Sequence, residues 1–296
     1  MMFSIKNVNK ICNIVYGGAM YDYSKIKKYV LWLKKNEHLS VSIHSAGNLS
    51  IVTEPELSAF NVHDNPYCAY IKGCRCAAAD CVKKQKKAEE KCRAGVYFGM
   101  CRAGVAEFVY PVRTSGRTVG FISVSGYCLP EGEERVKRAA MHYSLDEKTA
   151  LFKYSLLKNV PEDKERIDTL IAPLCDMLEL ALITKGEKKT TVAGKVIDFI
   201  NGNYALPITS GDICRALSVS RAYMSREFNR EVNMPLRDYI NLVRIKNAKV
   251  LLESSDLTVS EIAYTVGFSD SGYFSAVFKK AVGSSPREYK KQRFSY

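Results

Sequence analysis

The chain lacks the usual carriers of catalysis. It has one tryptophan and four histidines, His38, His44, His63 and His142, and no spacing among the histidines would set two of them on one metal ion. A Gly-rich phosphate loop, an H-E-x-x-H helix and a G-x-S-x-G turn are all missing. Each of those motifs fixes a group on phosphate, zinc or an acyl carbon, so no catalytic residue, resident metal or cofactor is expected. Long apolar runs are missing too. The nearest approach, residues 170–183, carries Asp176 and Glu179 and falls short of the ~18 residues a membrane helix needs. The opening stretch MMFSIKNVNKICNIVYGG has no continuous apolar core of the kind a secretory leader carries. A cytoplasmic protein with no membrane partner is therefore expected.

Cysteine and positive charge are plentiful. Ten cysteines in a chain without a leader read as reduced thiols rather than disulfides. The net charge is +13, yet residues 190–296 hold 15 Lys/Arg against 10 Asp/Glu and the remainder 29 against 21. Charge thus permits a polyanionic partner without locating its surface. At 296 residues and 47% hydrophobic, the chain suits two packed domains.

The polar, lysine-rich TKGEKKTT at 184–191 reads as a linker between residues 1–183 and 192–292. Ahead of it, Ile167, Leu170, Ile171, Leu174, Met177, Leu178, Ala181 and Leu182 recur at helical spacing. Residues 162–183 should form a helix with a buried stripe, bent at Pro173.

Beyond the linker the chain repeats itself. ITSGDICRALSVSRAYMSREF aligns with LTVSEIAYTVGFSDSGYFSAVF, first at an offset of 49 residues (Thr209 on Thr258, Asp212 on Glu261, Ser220 on Ser269). After one inserted residue the offset is 50 (Tyr223 on Tyr273, Phe228 on Phe278, Tyr239 on Tyr289). Each copy reads as a short capped helix, a tight turn and a second helix starting at Ser220 or Ser269. Met224 and Phe228 would be buried in one copy, and Phe274, Val277 and Phe278 in the other. The intervening LRDYINLVRIKNAKVLLES, with Tyr239, Ile240, Val243, Ala248, Leu251 and Leu252 as its packing side, would hold the copies about 34 Å apart, one turn of DNA.

These residues, above all IAYTVGFSDSGYFSAVFKK with the Gly, Pro and Tyr that follow, resemble the C-terminal DNA-binding domain of AraC/XylS-type transcription regulators. The resemblance covers about a third of the chain. It implies helix-turn-helix units over about 208–231 and 257–280, double-stranded DNA as partner, and a homodimer and RNA polymerase as further partners. Arg221, Ala222, Ser225 and Arg226 fall on the outer side of the first reading helix. An arginine there reaches guanine O6 and N7, and the family carries a base-reading residue at the position of Arg226. Asn229 and Arg230 suit phosphate. In the second copy Ala276 stands where relatives carry arginine, and Ser271, Gly272 and Tyr273 offer little reach. Lys279 and Lys280 supply charge, so the first unit should specify sequence and the second should anchor.

The first half reads as α+β. VAEFVYPVRTSGRTVGFISVSGY is a β-hairpin turning at TSGR, LSVSIHSAGNLS is a strand and turn, and AADCVKKQKKAEEKC and DYSKIKKYVLWLKKNE are helices. NPYCAYIKGCRCAAADC, YFGMCRAGVAEFVYPV and GRTVGFISVSG together resemble the PocR sensory domain. That resemblance implies a PAS-like fold and a small organic effector, such as a small diol. Cys68, Cys101, Glu107, Tyr110 and Tyr127 lie in or beside the matching motifs and are the expected effector contacts. The fold expected is thus an α+β PAS-like sensor followed by an all-α domain with two helix-turn-helix units, the 162–183 helix transmitting between them.

The cysteines keep other readings open. Cys68, Cys74, Cys76 and Cys81 could bind a metal, although their C-x5-C-x-C-x4-C spacing lacks paired C-x2-C knuckles. Arg75, Lys83, Lys84 and Arg102 could lower a thiol pKa and make a redox switch. An Ada-type methyl-acceptor domain needs Cys-x3-Cys ahead of Cys-x2-Cys, and neither appears.

Overall fold

The computed structural model describes residues 22–45, 56–184 and 191–292. The end of the LSVSIHSAGNLS segment and most of the TKGEKKTT linker lie outside the described residues. The N-terminal half is an α/β sheet domain and the C-terminal half is all-helical, with helix-turn-helix geometry.

The sheet comprises β1 (Ser40–Ser45), β2 (Tyr97–Met100), β3 (Ala106–Thr114) and β4 (Arg117–Cys128) in the antiparallel order β1-β4-β3-β2, with the short β5 (Lys158–Asn159) parallel to the end of β4. The β3–β4 hairpin turns at Ser115 and Gly116, both at positive φ, within the expected TSGR.

One face of the sheet carries Val41, Ile43, Phe108, Tyr110, Val112, Ile122 and Val124. It is sealed by Ile26, Val30 and Leu33 of α1 (Ser24–Asn36) and by Ile167, Ile171, Leu174, Leu178 and Ala181 of α6 (Lys164–Thr184). That helix starts two residues later than expected and runs unbroken through Pro173, which sits on its exposed side. The other face presents Ser42, His44, Glu107, Val109, Phe121 and Ser123 toward α2 (Pro66–Lys72) and α3 (Arg75–Cys92). Asn65 caps α2 by accepting the Cys68 N–H at 2.8 Å. Two further helices, α4 (Glu133–His142) and α5 (Glu147–Ser155), pack Val136, Ala140, Ala150 and Tyr154 against α2.

The helical half holds α7 (Val192–Asn203), α8 (Ser210–Leu217), α9 (Arg221–Val232), α10 (Leu236–Ser254), α11 (Val259–Thr265), α12 (Ser271–Val282) and α13 (Pro286–Gln292). Thr209 and Thr258 start α8 and α11 with matching capping boxes, completed by Asp212 and Glu261. Ser220 caps α9, but its counterpart on α12 is Asp270 rather than Ser269. The residue inserted into the second copy is therefore Ser269, in the turn, and the 50-residue register already holds at the cap. Met224, Phe228, Phe274 and Phe278 are buried as expected, with Val277 packed at the margin. Tyr239, Ile240, Val243, Ala248, Leu251 and Leu252 of α10 form the shared floor.

Candidate functional site

Two places in the molecule gather polar side chains with work to do, one on the helical half and one under the sheet. On α9, Arg221, Ala222, Ser225, Arg226, Asn229 and Arg230 are all exposed, as their spacing required. Glu227, almost wholly buried in the same helix, was missed by sequence reasoning. Its carboxylate lies 3.3 Å from Arg226 Nε and 2.5 Å from Arg230 Nη2, and the Arg226 guanidinium also sits over the Tyr223 ring at 5.4 Å. Arg226 is therefore contacted on two sides, by the Glu227 carboxylate and the Tyr223 ring, while its side chain stays exposed.

The helix α12 differs. Ser271 is half-buried and Gly272 exposed, while Lys279 and Lys280 stand in solvent. The Tyr273 hydroxyl accepts from Arg237 Nη2 at 3.3 Å and from Asn241 Nδ2 at 3.2 Å, so this side chain braces α12 on α10. Asp270 is spent capping the helix.

Under the sheet, a cavity of about 100 Å³ lies between β1, β3, β4 and α2–α3. Cys68, Cys101 and Glu107, three of the five expected effector contacts, line it together. Tyr110 and Tyr127 do not. Side chains alternate faces along a strand, so Tyr110, three residues from Glu107, projects to the opposite side, where its hydroxyl donates to Asp168 of α6 at 2.7 Å. Tyr127 shares the parity of Ser123 and Ser125, but Gly126 at φ +92° inserts a bulge between the pairs Glu107↔Ser125 and Ala106↔Tyr127. That extra residue turns Tyr127 onto the α6 face.

The cavity also holds residues that were missed: His44, His63, Lys72, Asp80 and Cys81. His44 Nδ1 lies 3.1 Å from Asn61 Oδ1 and its Nε2 lies 2.9 Å from Ser42 Oγ. A neutral imidazole satisfies both, donating to the amide and accepting the hydroxyl proton. Burial, reinforced by the nearby Lys72, pulls the His44 pKa down to about 3. The same causes hold His63 well below its usual range. Its buried Nε2 has no hydrogen-bond partner and stands 3.8 Å from Glu107 Oε2. Burial raises the Glu107 carboxyl above the ordinary carboxylate range, against the opposing effect of the Ser123 hydroxyl that donates to it. The cavity wall thus sets the neutral His44 imidazole and apolar surface beside the ionisable side chains of Lys72, Asp80, Arg102 and Glu107, a lining that offers hydrogen bonds to a small polar molecule.

Cys68 and Cys101 do not read as reactive thiols. Burial pushes Cys68 up to about 12 and raises Cys101 further, against the lowering expected from neighbouring cations. Among the described residues no three Cys, His, Asp or Glu side chains come together as a metal site, and the set Cys68, Cys74, Cys76 and Cys81 is dispersed from buried to exposed positions.

Direct links join the cavity to the helical half. Asn61, whose carbonyl takes the His44 bond, donates through Nδ2 to the Gly202 carbonyl of α7 at 2.9 Å. Ser58 Oγ donates to Asn247 Oδ1 at 2.9 Å, Tyr204 Oη donates to the Ser58 carbonyl at 3.0 Å, and Lys153 Nζ meets the α11 capping residue Glu261 at 2.8 Å. Val62 and Ala69 complete the seam inside the helical core. The stripe of α6, the expected transmitter, packs on the sheet in a core that also takes in Val250 of α10.

The profile described as the sensory domain found in PocR matches residues 20–180, more than half of the chain, and a helix-turn-helix domain profile matches residues 213–292. The chain belongs to the PocR sensory-domain family, joined to an AraC-type helix-turn-helix domain. The Msm operon regulatory protein of Streptococcus mutans is 33% identical over 124 residues, 42% of this chain and 45% of that protein. The uncharacterized HTH-type transcriptional regulator YijO of Escherichia coli is 30% identical over 138 residues, 46% and 49% of the two chains. The C-terminal domain of AraT, a response regulator from Geobacillus stearothermophilus, is 30% identical with a TM-score of 0.34, covering 36% of this chain and 89% of that one. The chain spans about half the length of the curated relatives it matches. Among the described residues no helix is long and apolar enough to cross a membrane.

Proposed function

We propose that the chain is a sequence-specific DNA-binding transcription regulator, and not an enzyme, whose activity is set by a small organic effector held under the sheet. In this reading residues 1–183 are a PAS-like sensor, 184–191 a linker and 192–292 the DNA-binding domain. The helix pairs α8–α9 and α11–α12 act as two helix-turn-helix units. Arg226 reads bases with Arg221, Ala222 and Ser225 beside it, Asn229 and Arg230 meet phosphate, and α12 anchors the second unit through Lys279 and Lys280, with Ser271 and Gly272 approaching the backbone. Tyr273 supports that helix rather than reading a base. A homodimer pairing through α6, whose Leu180 and Ile183 stand exposed, and contact with RNA polymerase complete the proposed cytoplasmic assembly.

Cys68, Cys101 and Glu107 contact the effector together with His44 and His63. A cavity of about 100 Å³ is about two-thirds of the ~150 Å³ void that admits benzene, so it suits a molecule of about four or five non-hydrogen atoms. The observation that carries the reading is Asn61, one side chain bonded both to a cavity histidine and to the first helix of the DNA-binding half. An effector that displaces His44 alters a contact the helical half depends on, and differential contact of this kind is what shifts a conformational equilibrium.

To test this, the purified protein selects its sites from a random-sequence DNA pool, and affinity for a selected site is measured by fluorescence anisotropy across a panel of short diols. At least one diol should change DNA affinity about fivefold or more. Unchanged affinity in the presence of diols that calorimetry shows to be bound removes the sensing half of the reading. Failure to enrich any sequence removes the DNA-reading half.

A further inference from the structure

Beside the effector cavity, between α3 and α4 over β2, lies a groove of about 520 Å³. It shares Ala88, Cys101, Arg102 and Glu107 with the cavity, so the two spaces adjoin at these residues. The rest of its lining brings Lys87 and Lys91 from α3 and Arg135 and Arg138 from α4. With Arg102 that makes five cations around one concavity, and Glu107 is the single carboxyl among them.

Three of these cations are held by neutral hydrogen-bond acceptors, and among the described residues none has a close carboxylate partner. Arg135 Nη1 donates to the carbonyls of Met100 at 3.1 Å and Cys101 at 3.2 Å, and Lys91 Nζ donates to the Tyr97 hydroxyl at 2.8 Å. Arg138 Nε donates to the Glu134 carbonyl. Among the described residues no carboxylate comes within 4.0 Å of Lys87, Lys91, Arg135 or Arg138, and Arg102 has Asp80 only at 4.0 Å. Like charges converging on a concave, partly apolar surface repel one another and focus a positive field into it. A single carboxylate would leave most of that charge unmatched. A phosphate monoester brings a charge of about −1.5 to −2 and three acceptor oxygens, which the forked guanidinium groups fit pairwise.

We propose that groove and cavity form one two-part site for the phosphate monoester of a short alcohol or polyol. The phosphate lies in the groove among Arg102, Arg135, Arg138, Lys87 and Lys91. The hydroxylated carbon end passes Cys101 toward His63 in the cavity. The proposal rests on the cavity's being the effector site.

The test is isothermal titration calorimetry of the full chain at fixed ionic strength, with glycerol 3-phosphate, glycerol and inorganic phosphate as probes. The ester should bind at least about tenfold more tightly than either fragment. The doubly substituted Lys87→Gln/Arg138→Gln protein, altered at two exposed positions, should lose about tenfold or more of ester affinity while holding glycerol as before. Ester binding no tighter than inorganic phosphate, or unchanged in that protein, overturns the proposal. Short polyols that bind and shift DNA affinity while the ester binds no better leave the effector reading standing and this proposal refuted. If neither polyol nor ester binds, and filling the cavity with Cys101→Phe leaves DNA affinity unchanged, both fall together.

Discussion

The buried histidines make the sensor half acid-sensitive by a calculable amount. His44 titrates near the ordinary imidazole value of 6.5 when the chain is unfolded and near 3 in the folded cavity. A folded pKa held below the unfolded one gives stability that is fully present above pH 6.5 and lost as the pH falls toward the folded value. Well below pH 6.5 each such group costs about 1.4 kcal/mol per pH unit, so His44 alone removes about 2 kcal/mol between pH 7.5 and pH 5.0. His63 is lowered for the same reasons and adds a loss of the same sign. Glu107 acts oppositely: its raised folded pKa gives stability that is present at acid pH and lost as the pH rises through that value, so it offsets part of the histidine effect. The single tryptophan, Trp32, lies on α1 and stacks on Tyr29, and its fluorescence reports the sensor half. Urea midpoints followed by that signal should fall from pH 7.5 to pH 5.0. His44→Gln should cut the pH-dependent loss by about 2 kcal/mol, and Glu107→Gln should enlarge it. A His44→Gln protein with the same pH dependence as the parent would refute the burial argument for this cavity.

Asn61→Ala removes both the His44 bond and the Gly202 bond. It should leave effector affinity within about threefold while abolishing the effector's influence on DNA affinity, read by paired calorimetry and anisotropy. Arg226→Ala should relax base preference by about 1–3 kcal/mol in competition against substituted sites, whereas Lys279→Ala should weaken all sequences alike and reduce the salt slope by about one. Equal loss of discrimination in both would end the proposed division of labour between α9 and α12. Gly267, at φ +93°, sits in the α11–α12 turn where an added Cβ would stand 2.6 Å from the Tyr204 carbonyl oxygen. Gly267→Ala should therefore destabilise the helical half by about 1–3 kcal/mol in thermal melts followed by circular dichroism.

The helical half was legible because it is written twice in local chemistry. Thr209 with Asp212 and Thr258 with Glu261 are caps that act within four residues, and the buried Met224, Phe228, Phe274 and Phe278 obey helical periodicity. Even the misplaced insertion concerned only which polar residue, Ser269 or Asp270, supplied a side-chain acceptor. The cavity was half legible. Alternation along β3 separates Glu107 from Tyr110 by arithmetic alone, but the Gly126 bulge that moves Tyr127 depends on pairing with β3, which no run of residues announces. His44 and His63 lie 19 residues apart with no motif between them, and they meet only because the loop before α2 folds over β1. The seam between the halves was illegible for the same reason. Ser58 and Asn247 are 189 residues apart, and neither carries a signal that names the other.

That seam bears on how a molecule small enough for the cavity could control a DNA-binding domain. Its groups are imperfectly matched. Asn247 accepts from Ser58, yet its own Nδ2 is buried without a partner, and Thr265 Oγ1 beside the α11–α12 turn is buried in the same condition. A buried polar group without a partner costs about 1–3 kcal/mol, so the docked arrangement carries a penalty that separation into water would relieve. The packing of Val62 and Ala69 and the Lys153–Glu261 pair oppose that release. Moving a two-state equilibrium from 1:99 to 99:1 needs about 5.5 kcal/mol of differential binding. A ligand of about five heavy atoms has a ceiling near 1.5 kcal/mol per atom, about 7.5 kcal/mol in all. Nearly all of its binding energy would have to discriminate between the two arrangements if the resting bias were that steep. A seam already weakened by unmet amide and hydroxyl groups narrows the gap and leaves a small effector enough energy both to bind and to switch. Replacing Asn247 with a residue that leaves no donor unmet should accordingly tighten the docked state and raise the effector concentration needed to change DNA affinity.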